Sequence, residues 1–331
     1  MTIDIHQHVW TPPLVEALSR RREFPFVRYE NGLAVLFLAG EQPYAIDLDG
    51  EAPARRAQLA EADGVNRALV VPSSPLGIEA LSRRQAIELI DAYHDGALAL
   101  GEPFGVWGSL ALDALDPDDI DRALARGCVG ISLPAGTLGN IDLLARTSPA
   151  LARIQSAGVP LLVHPGPGMR PLDREASLGD PLWWPALTRY VSQMQAAWLT
   201  WVTAGRRLYP NLRIVFSMLA GLAPLHAERL LSRGGPDLGE SADPFTFYDT
   251  SSYGPRALRT MEKVVGAGQL VYGSDRPVVD PTAENARATA SRFAQSTARA
   301  LVGNHQLVDR RGVQRGAVRT RPVAVLQGAP R

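Results

Sequence analysis

Residues 1–10 read MTIDIHQHVW, and this stretch sets the reading of the whole chain. A short apolar run, residues 3–5, leads into two histidines one residue apart, and an extended strand points alternate side chains the same way. His6 and His8 therefore share a face, while Gln7 points the other way. At a rise of about 3.3 Å per residue their Cα atoms stand roughly 6.6 Å apart, from where two imidazoles can converge on one ion with bonds of about 2.0 Å. Two histidines near an N-terminus can also be a tag remnant or a surface pair. A tag does not sit on a β-branched strand three residues from the start, so the pair is read as metal ligands.

Beyond this strand Pro12 and Pro13 break the backbone, and the pattern predicts a helix over 14–21. Paired strands follow over 26–48 with turns at Asn31-Gly32 and Gly40, a small β insertion. From residue 54 onward apolar runs alternate with helical periodicity. Strands are predicted over 67–71, 104–112, 128–133, 159–164, 212–217, 245–250 and 269–273, each followed by a helix, the last of them over 282–301. A helix over 186–207 carries Tyr190, Met194, Trp198, Trp201 and Gly205 on one apolar face, read as core or dimer contact. Eight strands spread evenly through one long domain point to the α/β class and a (β/α)8 TIM barrel over 1–303, rather than a doubly wound sheet. The glycines of HPGPG after His164 lack the spacing of a dinucleotide fingerprint. The segment 304–331 keeps Arg310, Arg311, Arg315, Arg319, Arg321 and Arg331 with no acid after Asp309, and is read as an extended or disordered tail.

Composition narrows the partners. With 34 basic and 34 acidic residues the net charge is zero, so no field favours nucleic acid or an anionic membrane. No run approaches the ~20 apolar residues of a membrane span. The expected partner is a small-molecule substrate, with a second copy of the chain as a homodimer. Cys128, the single cysteine, forms no internal disulfide, and no charged-then-apolar leader precedes residue 3, so a cytoplasmic location is expected. Lys263 is the only lysine, and any chemistry that needs a lysine must use it.

In a barrel of this kind the chemistry sits at the C-terminal ends of the strands. Strand one ends in His6 and His8, strand five in His164 within LLVHPG, and strand eight in Asp275 within YGSDRP. Singly, His164 reads as a capped core histidine and Asp275 as the N-cap of a turn. Together, three neutral imidazoles and a carboxylate make an N3O set suited to zinc, iron, cobalt or manganese.

The motifs IDIHQHVW, LLVHPG, GRRLYPNLRIVFS and YGSDRP resemble those of the amidohydrolase superfamily, in particular the branch that includes aminocarboxymuconate semialdehyde decarboxylase and related aromatic-acid decarboxylases. The resemblance runs over residues 2–303. It implies a mononuclear site with His6, His8, His164 and Asp275 as ligands and one divalent ion, Zn2+ first, with Mn2+, Fe2+ or Co2+ as the others. It also implies catalytic roles for Asp275, in proton transfer, and for His164. Relatives carry a histidine after strand six, where this chain has Met218, followed by Leu219 and Ala220 at places where glycines are common. A positioned general base is worth about 10²- to 10⁴-fold, while metal binding brings the pKa of water from about 15.7 to about 7, so the larger effect survives the change. Dinuclear relatives bridge two metals with a carbamylated lysine at the end of strand four. CVGISLPAG has none, so one metal is expected.

Trp10, Trp107, Arg174, Trp184, Met218 and Arg276 fall at strand ends or on loops of the mouth side, where arginine suits a substrate carboxylate and tryptophan a flat ring. Each also has a packing reading: Trp184 beside Trp183 in the long loop, Arg276 paired with a neighbouring acid. The function expected first is hydrolysis of a small cyclic or carboxylated substrate. The alternative is non-oxidative decarboxylation of a small aromatic or unsaturated acid. A second alternative, motivated by Met218, is a metal-binding barrel without turnover.

Overall fold

The computed structural model describes residues 1–170, 179–239 and 243–308. Its strands in chain order are β1 (Ile3–Gln7), β2 (Phe26–Glu30), β3 (Leu33–Phe37), β4 (Tyr44–Ile46), β5 (Arg67–Val70), β6 (Phe104–Gly108), β7 (Gly130–Pro134), β8 (Leu161–His164), β9 (Ile214–Phe216), β10 (Thr246–Asp249) and β11 (Leu270–Val271). β1 and β5 to β11 form one eight-stranded sheet in sequential order, every pairing parallel. Ile5 N–H donates to the Tyr272 carbonyl, Asp275 N–H to His6 and His8 N–H to Arg276, so the last strand returns to the first. This is a (β/α)8 barrel. β2, β3 and β4 make a separate antiparallel sheet, and its first hairpin turns through Asn31 and Gly32, both at positive φ, as a two-residue loop requires.

Strands buried on both faces read as continuous apolar runs, and here each contributes to two cores. Ile5, Leu69, Trp107, Leu162, Val215 and Phe247 fill the barrel interior. Neighbouring residues such as Val70, Ile131, Val163 and Phe216 face the helices. Ala300 and Leu301 of the helix Ala294–Val308 pack on the interior cluster and seal it from the N-terminal end.

Several elements differ from expectation. The final helix is two, Ala283–Arg292 and Ala294–Val308, because the backbone leaves the helical region at Phe293, whose ring is buried. The second runs past 303 into the segment read as tail; residues 309–331 lie outside the described residues. Trp198 and Trp201, offered as core or dimer contact, are core: both are buried within the chain, and the Trp198 indole donates to Tyr248 Oη at 3.0 Å. No helix among the described residues is long and apolar enough to cross a membrane.

Candidate metal centre

His6 and His8 leave β1 at its C-terminal end, His164 ends β8, and Asp275 follows β11. The structure brings all four together. His6 Nε2 lies 3.2 Å from His8 Nε2 and 3.5 Å from Asp275 Oδ1, and His8 Nε2 is 3.2 Å from the same oxygen. His164 stands edge-on to both other rings, with centroids 4.9 and 5.0 Å away. Nitrogens of the three histidines lie within 4.8 Å of one another, and all four residues are buried.

The far side of each ring fixes what the near side can do. His6 Nδ1 is 2.6 Å from Asp249 Oδ2, His8 Nδ1 is 3.0 Å from the Val71 carbonyl, and His164 Nδ1 is 2.9 Å from the Pro165 carbonyl. All three partners are acceptors, so the ring hydrogens are assigned to Nδ1 and the Nε2 lone pairs face one another. Lone pairs and a carboxylate at 3.2 to 3.5 Å repel unless a cation sits among them. A tetrahedral ion with bonds of 2.0–2.1 Å needs edges of about 3.4 Å, which the three distances among His6, His8 and Asp275 match; with His164 within 4.8 Å of the other two imidazoles, these residues could hold one divalent ion.

Where protons are the only cations, burial pulls the His6 imidazole down, but Asp249, and behind it Asp275 and Asp4, hold it up at about 9. Burial, and then the charges of His6 and His8, push His164 well below the ordinary histidine range. Burial raises the Asp275 carboxyl, but the His8 hydrogen bond and the three imidazoles outweigh it and hold the group below the usual carboxylate range. Asp275 sits at φ 63°, and its second oxygen accepts from Ser252 Oγ at 2.9 Å. Gly273 lets the segment after β11 pass close behind the His6–Asp249 pair: a Cβ there would lie 2.8 Å from His6 Cβ and 2.9 Å from Asp249 Cγ.

Sequence reasoning missed Asp249. It ends strand seven, and the strand-end test that found His164 applies to it equally, but it holds the far nitrogen of His6 instead of facing the other imidazoles. The other expected site residues separate into distinct places. Trp10 is buried just beyond His8; its backbone N–H donates to Glu51 Oε2, and its indole N–H has no partner among the described residues. Met218 is buried at the end of β9, in a left-handed turn, with its N–H on Ser251 Oγ. Trp107 is not a pocket wall: it lies wholly inside the barrel and donates its indole N–H to the Ile5 carbonyl at 2.9 Å. Arg276 is not free for a substrate carboxylate either, because its guanidinium is held by Asp63 at 2.7 and 3.1 Å, by Asp280 and by the Pro281 carbonyl. Trp184 is 43% exposed on the short surface helix Trp184–Leu187, its ring beside Trp183. Arg174 lies outside the described residues. His226 is exposed and stands apart from the histidine cluster.

Solved structures with the same fold include three decarboxylases. 5-Carboxyvanillate decarboxylase from Novosphingobium aromaticivorans DSM 12444, complexed with manganese and 4-hydroxy-3-methoxy-5-nitrobenzoic acid, is 17% identical with a TM-score of 0.67, over 91% of this chain and 96% of that one. 5-Carboxyvanillate decarboxylase from Sphingomonas paucimobilis is 19% identical with a TM-score of 0.62, over 93% and 97%. 2,6-Dihydroxybenzoate decarboxylase from Rhizobium is 16% identical with a TM-score of 0.62, over 91% and 98%. No curated protein sequence matches the chain. The family model described as amidohydrolase matches residues 3–302, and with nearly its whole length covered the chain belongs to the amidohydrolase family.

Proposed function

We propose that this chain is a mononuclear metal-dependent decarboxylase acting on a small aromatic or unsaturated carboxylic acid. The observation that supports the reading is the convergence of His6, His8 and His164, with Asp275 Oδ1 at 3.5 and 3.2 Å from the Nε2 atoms of the first two. Hydrolysis needs a base for the attacking water and an acid for the leaving group, and Met218, where relatives carry histidine, moves no proton. Decarboxylation needs less: the bond to the carboxyl carbon breaks, carbon dioxide leaves, and the electron pair left on the substrate carbon takes up one proton. This support reverses the order of the two enzymatic readings drawn from the sequence. The decarboxylase activities named for the structurally similar proteins favour the same choice.

A divalent ion held by His6, His8, His164 and Asp275 supplies Lewis acidity toward the substrate's carboxylate or an adjacent oxygen; manganese and zinc both suit the set. Asp275 Oδ1 faces the imidazoles, so Oδ2, on the Ser252 hydroxyl, is the atom that carries the proton. Asp275 rests ionised, and therefore takes the proton from a substrate hydroxyl or water before yielding it to carbon. The Trp10 indole N–H, which has no partner among the described residues, is the donor this reading offers to a substrate oxygen.

The test is incubation of the zinc- and manganese-loaded protein with carboxyl-labelled hydroxybenzoates and with a panel of lactones. Labelled carbon dioxide from wild type but not from H6A supports the reading. Lactone opening without carbon dioxide overturns it in favour of hydrolysis. Silence on every substrate, with activity appearing in M218H, favours the binding barrel that Met218 suggests.

A further inference from the structure

Strict alternation along β1 places Ile5 and His6 on opposite faces. In the structure Ile3 and Ile5 fill the barrel interior, and His6 and His8 nevertheless face its mouth. The register shows how. Asp4 pairs with Ala68 and Gln7 with Val70, so three steps along β1 match two along β5, and the ladder skips Ile5 and His6. One extra residue has been inserted, a β-bulge, and it expels the peptide between those two residues.

Both polar groups of that peptide are caught by side chains. The Ile5 carbonyl accepts the Trp107 indole N–H at 2.9 Å, and the His6 N–H donates to Asp4 Oδ1 at 3.1 Å. The same Asp4 oxygen accepts Ser274 N–H at 3.0 Å, one residue before Asp275. Asp4 Oδ2 accepts from Gln7 Nε2 at 2.8 Å, and Gln7 Oε1 accepts from Arg56 Nη2 at 2.8 Å. Asp4 has no solvent exposure, so none of these hydrogen bonds has water to replace it.

We propose that Asp4 and Trp107 are positioning residues that clamp the Ile5–His6 peptide outside the ladder, turning His6 into the mouth and setting Asp275 against it. The inference rests on the metal-centre reading above, and it assigns the ligand geometry to a buried carboxylate and an indole that touch no ligand atom. The polarity of the chain from Asp4 to Arg56 makes it specific. D4N keeps the acceptor for His6 and Ser274 but turns Oδ2 into a donor facing the Gln7 amide. Gln7 cannot flip to suit it without presenting its amide N–H to Arg56. D4N/Q7E restores every donor–acceptor match, with the negative charge moved to position 7.

Co2+ titration, followed by the visible absorption of the bound ion, tests this. D4N and W107F, folded by circular dichroism, are expected to bind Co2+ about 10- to 100-fold more weakly with an altered spectrum, and D4N/Q7E to recover to within about threefold of wild type. Equal affinity and an unchanged spectrum in both D4N and W107F overturn the proposal, as does a double variant no better than D4N. Should D4N fail to fold, W107F and the double variant decide. Wild-type protein that takes up no Co2+ overturns the metal-centre reading instead. Nitrogen-15 imidazole spectra of the metal-free protein then judge the clamp: a shifted His6 ring in W107F supports it, and an unmoved one overturns it.

Discussion

Asp249 shows how one side chain fixes another. Its 2.6 Å contact with His6 Nδ1 holds the ring and the tautomer that aims Nε2 inward. D249N is expected to fold and to lose about 10- to 100-fold in metal affinity, read by competition with a chelator. A second buried carboxyl has a different consequence. Glu79 accepts from Ser74 Oγ at 2.8 Å, its other oxygen has no partner among the described residues, and burial pushes its pKa up to about 7 from 4.5. The folded chain therefore holds a proton there that the unfolded chain has released. Stability is full below about pH 4.5 and falls as pH rises through 7, by about 3 kcal/mol at pH 8. Urea midpoints at pH 5 and pH 8 should show this decline in wild type and a much flatter response in E79Q. The four converging residues were legible because strand ends are legible: apolar runs stop at histidine or aspartate beside proline or glycine. Asp249 and Asp4 were not, since each acts through a neighbouring backbone or ring. Trp107 and Arg276 were misread because a strand-end position does not tell which way a side chain turns, and the bulge in β1 shows that parity itself can change within one strand.

At the scale of the element, the segment after β9 is the strained part of the barrel. Met218, Leu219, Ala220, Gly221 and Leu222 all lie at φ between 50° and 63°, a left-handed turn of which only one member is glycine. Each residue with a Cβ costs about 1–2 kcal/mol there. Neighbouring positions then respond oppositely to exchange. A220G relieves that cost and loses one buried methyl, about 0.8 kcal/mol, so its midpoint in urea should match or slightly exceed wild type. G221A adds the cost and drives a Cβ to 2.8 Å from the Val191 carbonyl, so it should be destabilised by about 2 kcal/mol or more. A G221A protein as stable as wild type would remove the left-handed turn from the description. The pattern predicts a helix after strand six, and the structure has one at Ala227–Ser232; nothing in the composition of MLAGL announces a left-handed approach to it, because only one of the five residues prefers that region.

The barrel is closed by the helix Ala294–Val308, the last among the described residues. Ala300 and Leu301 seal the interior, Arg213 donates to the carbonyls of both, and Thr297 Oγ1 accepts Tyr272 N–H just after the strand that leads to Asp275. A chain ending at Arg292 is expected to lose cooperative unfolding, checked by calorimetry; a sharp transition retained in that chain would make the helix an accessory. The eightfold alternation made the barrel readable, whereas the split of the final helix at Phe293 rests on tertiary burial that local pattern does not carry.

Asp4 and Ser274 touch across a separation of 270 residues, and His6 and Asp275 meet beside them. On the ribosome His6 and His8 are therefore made long before Asp275, the last of the four converging residues. A cation held as proposed would be the clasp of a necklace: it would fasten only once both stretches had come round, so tight capture of an ion would report that synthesis had passed residue 275 and the ring had shut.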